Sequence, residues 1–314
     1  MATMQAVVVD VEAPGRLALR EVPAPTPAPG EALVRVHAIS LNRGEVNSVR
    51  SAEAGARPGW DFAGVVEQIT ETWPGPVVGS RVVGMVAGGA WAELVAAPAR
   101  NLAEVPEGVS FAQAATLPIA GLSALYALER GGAGIARNVL VTGATGGVGL
   151  FAIQLAKLMG ACVVALVRRE EQAALVRAAG ADEVAVGEGG AAIAPFGPYD
   201  TVVESVGGQV LGAALESLRF GGTCVSLGAS AAAETTFDAR RFFLSGGRLY
   251  GFLIFNEMER SPLAPDLARL AGLMSEGKLR ATIDVEEPWT AISEVAERLR
   301  GRQFFGKAVL HVRA

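Results

Sequence analysis

Two hydrophobic rhythms divide the chain. Residues 4–9 (MQAVVV) and 32–39 (ALVRVHAI) read as strands, joined by a proline-rich connector, Pro23–Pro29. Further short β-type runs follow at Gly64–Ile69, Arg81–Val86 and Trp91–Ala96, separated by Gly and Pro turns, an antiparallel, barrel-like pattern without long helices. From about Pro118 the rhythm changes. GLSALYALERG, VLVTG, FAIQLAKLMG, CVVALVR, EEQAALVRAAGA, DEVAV, TVVESVG, QVLGAALESLR and TCVSLG follow one another, helix against strand. Strands alternating with amphipathic helices predict an α/β fold with a parallel, doubly wound sheet. The last stretch is mixed. A helix is expected over Pro265–Glu276, with Leu267, Leu270, Ala271 and Met274 on one buried face. A second is expected over Ile292–Arg300, before a closing strand, Ala308–Val312. The expected organisation is a mostly β part over residues 1–117, a dinucleotide-binding part over 118–251, and a return to the first part over 252–314.

Composition narrows the function classes. The chain has 314 residues, 51% of them hydrophobic, enough to bury two sizeable cores. The most apolar stretch, Ala112–Leu128, is interrupted by Gln113, Pro118 and Gly121, so no membrane span is expected. The first residues lack a basic region followed by an apolar core, so no secretory signal is expected either. Both cysteines fall inside apparently buried strands, as reduced core residues of a cytoplasmic protein would. A net charge of −5 argues against a nucleic-acid partner. Lysine occurs only at 157, 278 and 307.

The stretch 139–150, VLVTGATGGVGL, carries the most specific chemistry. An apolar strand enters a glycine-rich turn that opens an apolar-faced helix, the local architecture that holds a dinucleotide pyrophosphate. Gly143, Thr145, Gly146, Gly147 and Val148 are the expected turn contacts. The next strand, Cys162–Val167, ends in Arg168 and Arg169, where an NAD-binding site would place an acidic residue for the ribose hydroxyls. Two guanidinium groups there favour a 2′-phosphate, hence NADP(H), unless both are ordinary solvated charges. Glu170 and Glu171, just beyond, suit the first turn of the following helix.

Several blocks in fixed order extend this picture: Ser40-Leu41-Asn42-Arg43-Gly44-Glu45, PGWDFAGVV (58–66), ATLPIAGLSALYAL (115–128), the GATGGVG turn, ESVGG (204–208), GGTCVSLG (221–228), GFLIF (251–255) and FFGKAVL (304–310). Through them the chain resembles the zinc-independent quinone oxidoreductase and enoyl reductase branch of the medium-chain dehydrogenase/reductase superfamily. The resemblance implies a GroES-like catalytic domain, formed by 1–117 and 252–314, beside a Rossmann domain. It also implies further coenzyme contacts at Asn42, Ser123, Ser205, Val206, Gly207, Leu227, Gly228, Phe252, Leu253 and Lys307, the last at a phosphate or ribose. Asn42 and Arg43 are the candidate catalytic residues, although Asn42 also fits a turn after its strand and Arg43 a surface position. The tyrosine that many relatives carry a few residues later is missing from Val46–Val49. The apolar run Leu249–Phe255 is either an internal strand or the sheet edge through which relatives form homodimers.

Zinc-dependent relatives hold their catalytic metal with an early cysteine and a His-Glu pair. Here those places are Asn42 and Gly59-Trp60-Asp61, and the structural cysteine quartet is missing, so no metal is expected. His37 and His311 read as strand residues. Without a Lewis acid the acceptor must already be electrophilic, which points to a quinone or an α,β-unsaturated carbonyl reduced by NADPH. Two other readings remain: a dedicated biosynthetic enoyl or ketone reductase, and a non-catalytic NADPH-binding protein. The polar segment 47–58, NSVRSAEAGARP, departs most from the pattern and is expected to line the substrate entrance.

Overall fold

Alternation of apolar and polar residues sets the first long strand. Over Glu31–Leu41 every second side chain is buried until the last four, which are all buried. The computed structural model describes residues 2–313. Its strands run Thr3–Val9 (β1), Leu17–Pro23 (β2), Glu31–Leu41 (β3), Asp61–Ile69 (β4), Arg81–Met85 (β5), Leu94–Pro98 (β6), Leu102–Glu104 (β7), Asn138–Val141 (β8), Cys162–Val167 (β9), Glu183–Val186 (β10), Tyr199–Glu204 (β11), Leu218–Ser226 (β12), Arg248–Gly251 (β13), Ile283–Pro288 (β14) and Lys307–His311 (β15). The helices that matter below are Arg43–Ser48 (α1), Leu122–Gly131 (α2), Gly147–Leu158 (α3), Ala173–Ala178 (α4), Gly208–Glu216 (α5), Ala264–Ser275 (α6) and Ile292–Arg300 (α7).

Two compact units emerge: one takes the first 122 residues together with those from Glu257 onward, the other Ser123–Asn256. In the first, a seven-stranded sheet has the order β14-β15-β3-β4-β5-β7, with β6 also paired to β3, and β1 with β2 forms a separate antiparallel pair. Only β14 and β15 run parallel. Val34, Ile39, Phe62, Trp91, Leu102 and Leu310 form the centre of its core, closed by α7 through Ile292, Val295 and Ala296. The pairing of β15 with β3, Ala308 opposite Leu41, brings the chain's end beside residue 42.

In the second unit six parallel strands take the order β10-β9-β8-β11-β12-β13. Renumbered within the unit this is 3-2-1-4-5-6, the dinucleotide-binding order that reverses between the first and fourth strands. Its buried positions are near-continuous apolar runs, as in Val163–Val167, because helices cover both faces. Tyr199, fully buried, anchors one face and donates from its hydroxyl to the Ile193 carbonyl at 2.6 Å.

Details differ from the sequence-based expectations. The helix expected from Glu170 begins as a 3-10 turn over Glu170–Gln172 and becomes α4 only at Ala173. Cys162 is exposed, because it opens β9 rather than lying inside it; Cys224 is buried. The run from Leu249 splits: β13 is the edge strand of its sheet, and a helix starts at Ile254. His37 and His311 lie in β3 and β15, the first stacked on Phe111 at 4.6 Å and the second 2.7 Å from Glu286. No helix among the described residues is long and apolar enough to cross a membrane.

Candidate active site

The glycine turn of the second unit is shaped by the places where a side chain cannot fit. Gly143 has φ +56°, and a Cβ there would lie 2.3 Å from Ser205 Oγ. At Gly149 a Cβ would lie 2.5 Å from the Gly143 carbonyl oxygen, so the start of α3 packs directly on the turn. Gly146 caps α3 and brings no side chain to accept from its first N–H groups. Those donors, at the positive end of a twelve-residue helix, are a ready anion site.

The other expected contacts of this unit follow the C-terminal ends of its parallel strands, and so share one edge of the sheet with the turn. Arg168 and Arg169 follow β9, both exposed. Their backbone N–H groups donate to Gln172 Oε1 at 3.0 and 3.2 Å, which fixes the bend. Arg169 pairs with Glu171 at 2.9 Å, an exposed contact. Ser205, Val206 and Gly207 follow β11, where the Ser205 N–H donates to Thr142 Oγ1 at 3.0 Å. Leu227 and Gly228 follow β12, and Phe252 and Leu253 follow β13. Phe252 is buried and Leu253 half exposed. Ser123 lies buried in α2.

Glu204 escaped the sequence reading. It ends β11 and is wholly buried. Its Oε1 accepts from the Val206 and Gly207 N–H groups at 2.7 and 3.0 Å and from the Thr142 hydroxyl at 3.2 Å. One carboxyl group therefore ties together the loops after β8 and β11, on either side of the reversal in strand order. Burial raises its pKa, against those three hydrogen bonds. The available signal was an acidic residue directly after the apolar pair Val202-Val203 and before the turn at Ser205–Gly207.

In the first unit the notable feature is a buried charged cluster. Asn42 caps α1; its N–H donates to Glu45 Oε1 at 2.7 Å, and its Nδ2 donates to Glu45 Oε1 at 3.0 Å and to Asp61 Oδ2 at 2.7 Å. Lys307, the first residue of β15, donates to the Leu41 carbonyl at 2.9 Å and to Asn42 Oδ1, and its Nζ lies 3.7 Å from Asp61 Oδ2. The remaining carboxylate oxygens accept backbone N–H groups: Glu45 Oε2 from Trp60 at 2.9 Å, Asp61 Oδ1 from Ile119 at 3.0 Å. Glu45, Asp61 and Lys307 are at most 4% exposed. Burial pushes the Asp61 carboxyl up to about 6 even with the ammonium beside it. Burial, then the Asp61 charge, raises Glu45; burial lowers Lys307.

Lys307, expected at a coenzyme phosphate or ribose, has a buried ammonium directed onto Leu41, Asn42 and Asp61. Asn42 has both amide hydrogens engaged within the cluster, and Arg43 is half-buried at the first turn of α1. Among the described residues no group of three or more His, Cys, Asp or Glu side chains is arranged to hold a metal ion.

Comparison with known proteins agrees with this architecture. Residues 28–107 match the family model "Alcohol dehydrogenase GroES-like domain", and residues 147–269 match "Zinc-binding dehydrogenase". The chloroplast envelope quinone oxidoreductase homolog of Arabidopsis thaliana is 32% identical over 290 residues, 85% of each chain. The spectinabilin polyketide synthase system protein NorB of Streptomyces orinoci is 35% identical over 81% of this chain, which spans 12% of that longer protein. The solved structure of the quinone oxidoreductase from Coxiella burnetii superposes with a TM-score of 0.86 at 28% identity, covering 99% of this chain and all of that one. A GroES-like unit and a Rossmann unit, matched along nearly their whole length by quinone oxidoreductases, place the chain in the medium-chain dehydrogenase/reductase superfamily: it belongs to the quinone oxidoreductase branch, oxidoreductases that work with a nicotinamide coenzyme.

Proposed function

We propose that this protein is an NADPH-dependent reductase that delivers hydride to a quinone or an α,β-unsaturated carbonyl without a metal ion. The observation that carries the coenzyme choice is the Arg168–Arg169 pair at the end of β9. No acidic side chain occupies that strand end, and the Arg168 guanidinium has no hydrogen-bond or ion-pair partner among the described residues. The glycine turn fits a pyrophosphate: a Cβ at 143 or 149 would fill it, and the first N–H groups of α3 receive no side-chain cap. A coenzyme held there would supply a hydride, and the reduced acceptor would take a proton from water or a nearby donor.

The residues of the charged cluster do not fit a zinc ion. Asn42 offers a neutral amide oxygen that already accepts from Lys307, Trp60 stands where an imidazole would be needed, and both carboxyl groups are saturated by N–H donors. A buried ammonium supplies the cluster's positive charge instead. With no Lewis acid in the scheme, the acceptor must be conjugated and electrophilic.

Titrating the full chain with NADPH and with NADH, followed by coenzyme fluorescence, tests the coenzyme choice. NADPH should bind about tenfold tighter or better, and Arg168→Ala/Arg169→Ala should remove that preference. Equal affinities in the native chain would overturn it.

Likeness to part of a polyketide synthase system protein favours a second reading, in which the same chemistry serves one biosynthetic enoyl or ketone reduction. Self-association through β13 fits the unpaired outer edge of that strand and the exposed Phe220, Leu249 and Leu253 around it, so a homodimer is proposed. The two free cysteines support a reducing compartment such as the cytoplasm.

A further inference from the structure

Three loops of the second unit meet over one carboxyl oxygen. Glu204 Oε1 accepts from the N–H groups of Val206 and Gly207 and from the Thr142 hydroxyl. Thr142 Oγ1 accepts in turn from the Ser205 N–H at 3.0 Å, so two side chains cross-link the turn after β8 to the turn after β11. The loop after β12 joins them. The Ser205 and Val206 carbonyls accept from the Ser230 and Ala231 N–H groups at 3.2 and 2.8 Å, and the Glu204 carbonyl accepts from Leu227 at 2.8 Å. Gly207 pairs with Ala232 in an isolated bridge, and a Cβ at 207 would lie 2.2 Å from the Ala232 carbonyl oxygen. Direct contact therefore sets the spacing of these loops, with the Glu204 carboxyl group buried among them. They carry the glycine turn, Ser205–Gly207 and Leu227-Gly228, coenzyme contacts expected of this unit.

The second oxygen of the same carboxyl group has no such work. Oε2 is buried without a hydrogen-bond partner, and no ion pair reaches Glu204 among the described residues. Cys224, on the neighbouring strand β12, is a buried thiol pushed up by burial and by the Glu204 charge, so it brings no positive charge to the site. Burial outweighs the three hydrogen bonds and raises the pKa of Glu204. A buried carboxylate with a bare oxygen and no cation is costly, so the charge adds nothing that holds the loops. What holds them is an acceptor oxygen at a fixed reach from the backbone. Glutamine keeps that reach and that oxygen without the charge; aspartate keeps the charge and is shorter by a methylene.

We propose that Glu204 is a positioning residue for the coenzyme: its engaged oxygen sets the spacing of the three loops before the coenzyme arrives, through its reach and not its charge. Loops spaced in advance lose little freedom on binding, which is where the affinity is gained. The proposal rests on the reading of the glycine turn as the pyrophosphate site and is independent of the Arg168–Arg169 argument for NADPH.

Fluorescence titration of the full chain with NADPH and with NADH tests it in Glu204→Gln, Glu204→Asp and Glu204→Leu. Glu204→Gln should bind coenzyme within about twofold of the native affinity, and Glu204→Asp and Glu204→Leu about tenfold or more weakly. Tyr199→Phe removes a buried hydrogen bond at the other end of β11, so it should lower the thermal midpoint and leave coenzyme affinity unchanged. Thermal midpoints of the coenzyme-free variants report folding, and the Gln and Asp variants decide the outcome if Glu204→Leu does not fold. Glu204→Asp binding as well as Glu204→Gln, native affinity in Glu204→Leu, or a loss in Tyr199→Phe as large as in Glu204→Leu would each overturn the proposal. So would the absence of saturable binding of either coenzyme by the native chain. If the variants rank as expected while NADPH and NADH bind equally, the role of Glu204 stands and the NADPH preference falls.

Discussion

The glycine turn after β8 and the charged cluster around Asn42 solve opposite problems. The turn is made of missing side chains: Gly143 and Gly149 are there because a Cβ would strike Ser205 or the Gly143 carbonyl, and the N–H groups beyond Gly146 have no side-chain cap. The cluster is made of side chains that answer one another, with Lys307, Asp61, Glu45 and Asn42 supplying each other's partners away from water. An open set of donors is built to receive something. A closed set of charges is built to stay as it is, and its cost falls on any substitution that opens it.

The largest effect should come from opening the closed set. Lys307→Met leaves two buried carboxyl groups without their cation and should cost about 3–5 kcal/mol of stability, read from chemical unfolding. A loss under about 1 kcal/mol would mean the carboxyl groups are held neutral without it. Next in size, Gly149→Ala forces a methyl group against backbone at the turn, which should cost about 1–3 kcal/mol and weaken coenzyme binding as well. Native coenzyme affinity in that variant would show that the turn does not hold the pyrophosphate.

A pH series sharpens the contrast further. The Asp61 carboxyl titrates near 6 in the fold and near 3.8 when unfolded, so its pKa is raised by folding. The folded state then binds the proton more tightly, and the stability this contributes is full below about pH 4 and lost as pH rises through about 6. Relative to Asp61→Asn, the native chain should therefore lose stability between pH 4 and 7, by a few kcal/mol at most. A constant difference across that range would place Asp61 in its ionised form throughout. Smallest of all should be the effect of Arg168→Ala/Arg169→Ala on stability: the side chains are exposed, and the Arg169–Glu171 pair contributes little, within about 0.5 kcal/mol.

Much of the second unit was legible because its signals are local. A strand, a glycine turn and a helix stand in sequence order, and the arginines fall where the next strand must end. Helix α7 and the strands β3, β4 and β5 were readable for the same reason, from periodicity and turn residues. The cluster was not legible, because it joins residues 265 apart in the chain through the pairing of β15 with β3. A lone lysine beside an apolar run gave no hint that its partners were Asn42 and Asp61. Glu204 was overlooked on similar grounds: its partners are the N–H groups of its own following turn and a hydroxyl from another loop. Asp61, Glu204 and Lys307 all stand at the ends of strands, and their partners come from parts of the chain that local patterns do not connect.

The most direct test of the central claim is steady-state NADPH oxidation by the full chain after exhaustive metal chelation, with 1,4-benzoquinone and a linear enone as acceptors. The account predicts turnover with at least one of them, a clear preference for NADPH over NADH, and a rate unaffected by chelation or by added zinc. Activity that vanishes on chelation and returns with zinc, or turnover supported equally by NADH, would contradict it.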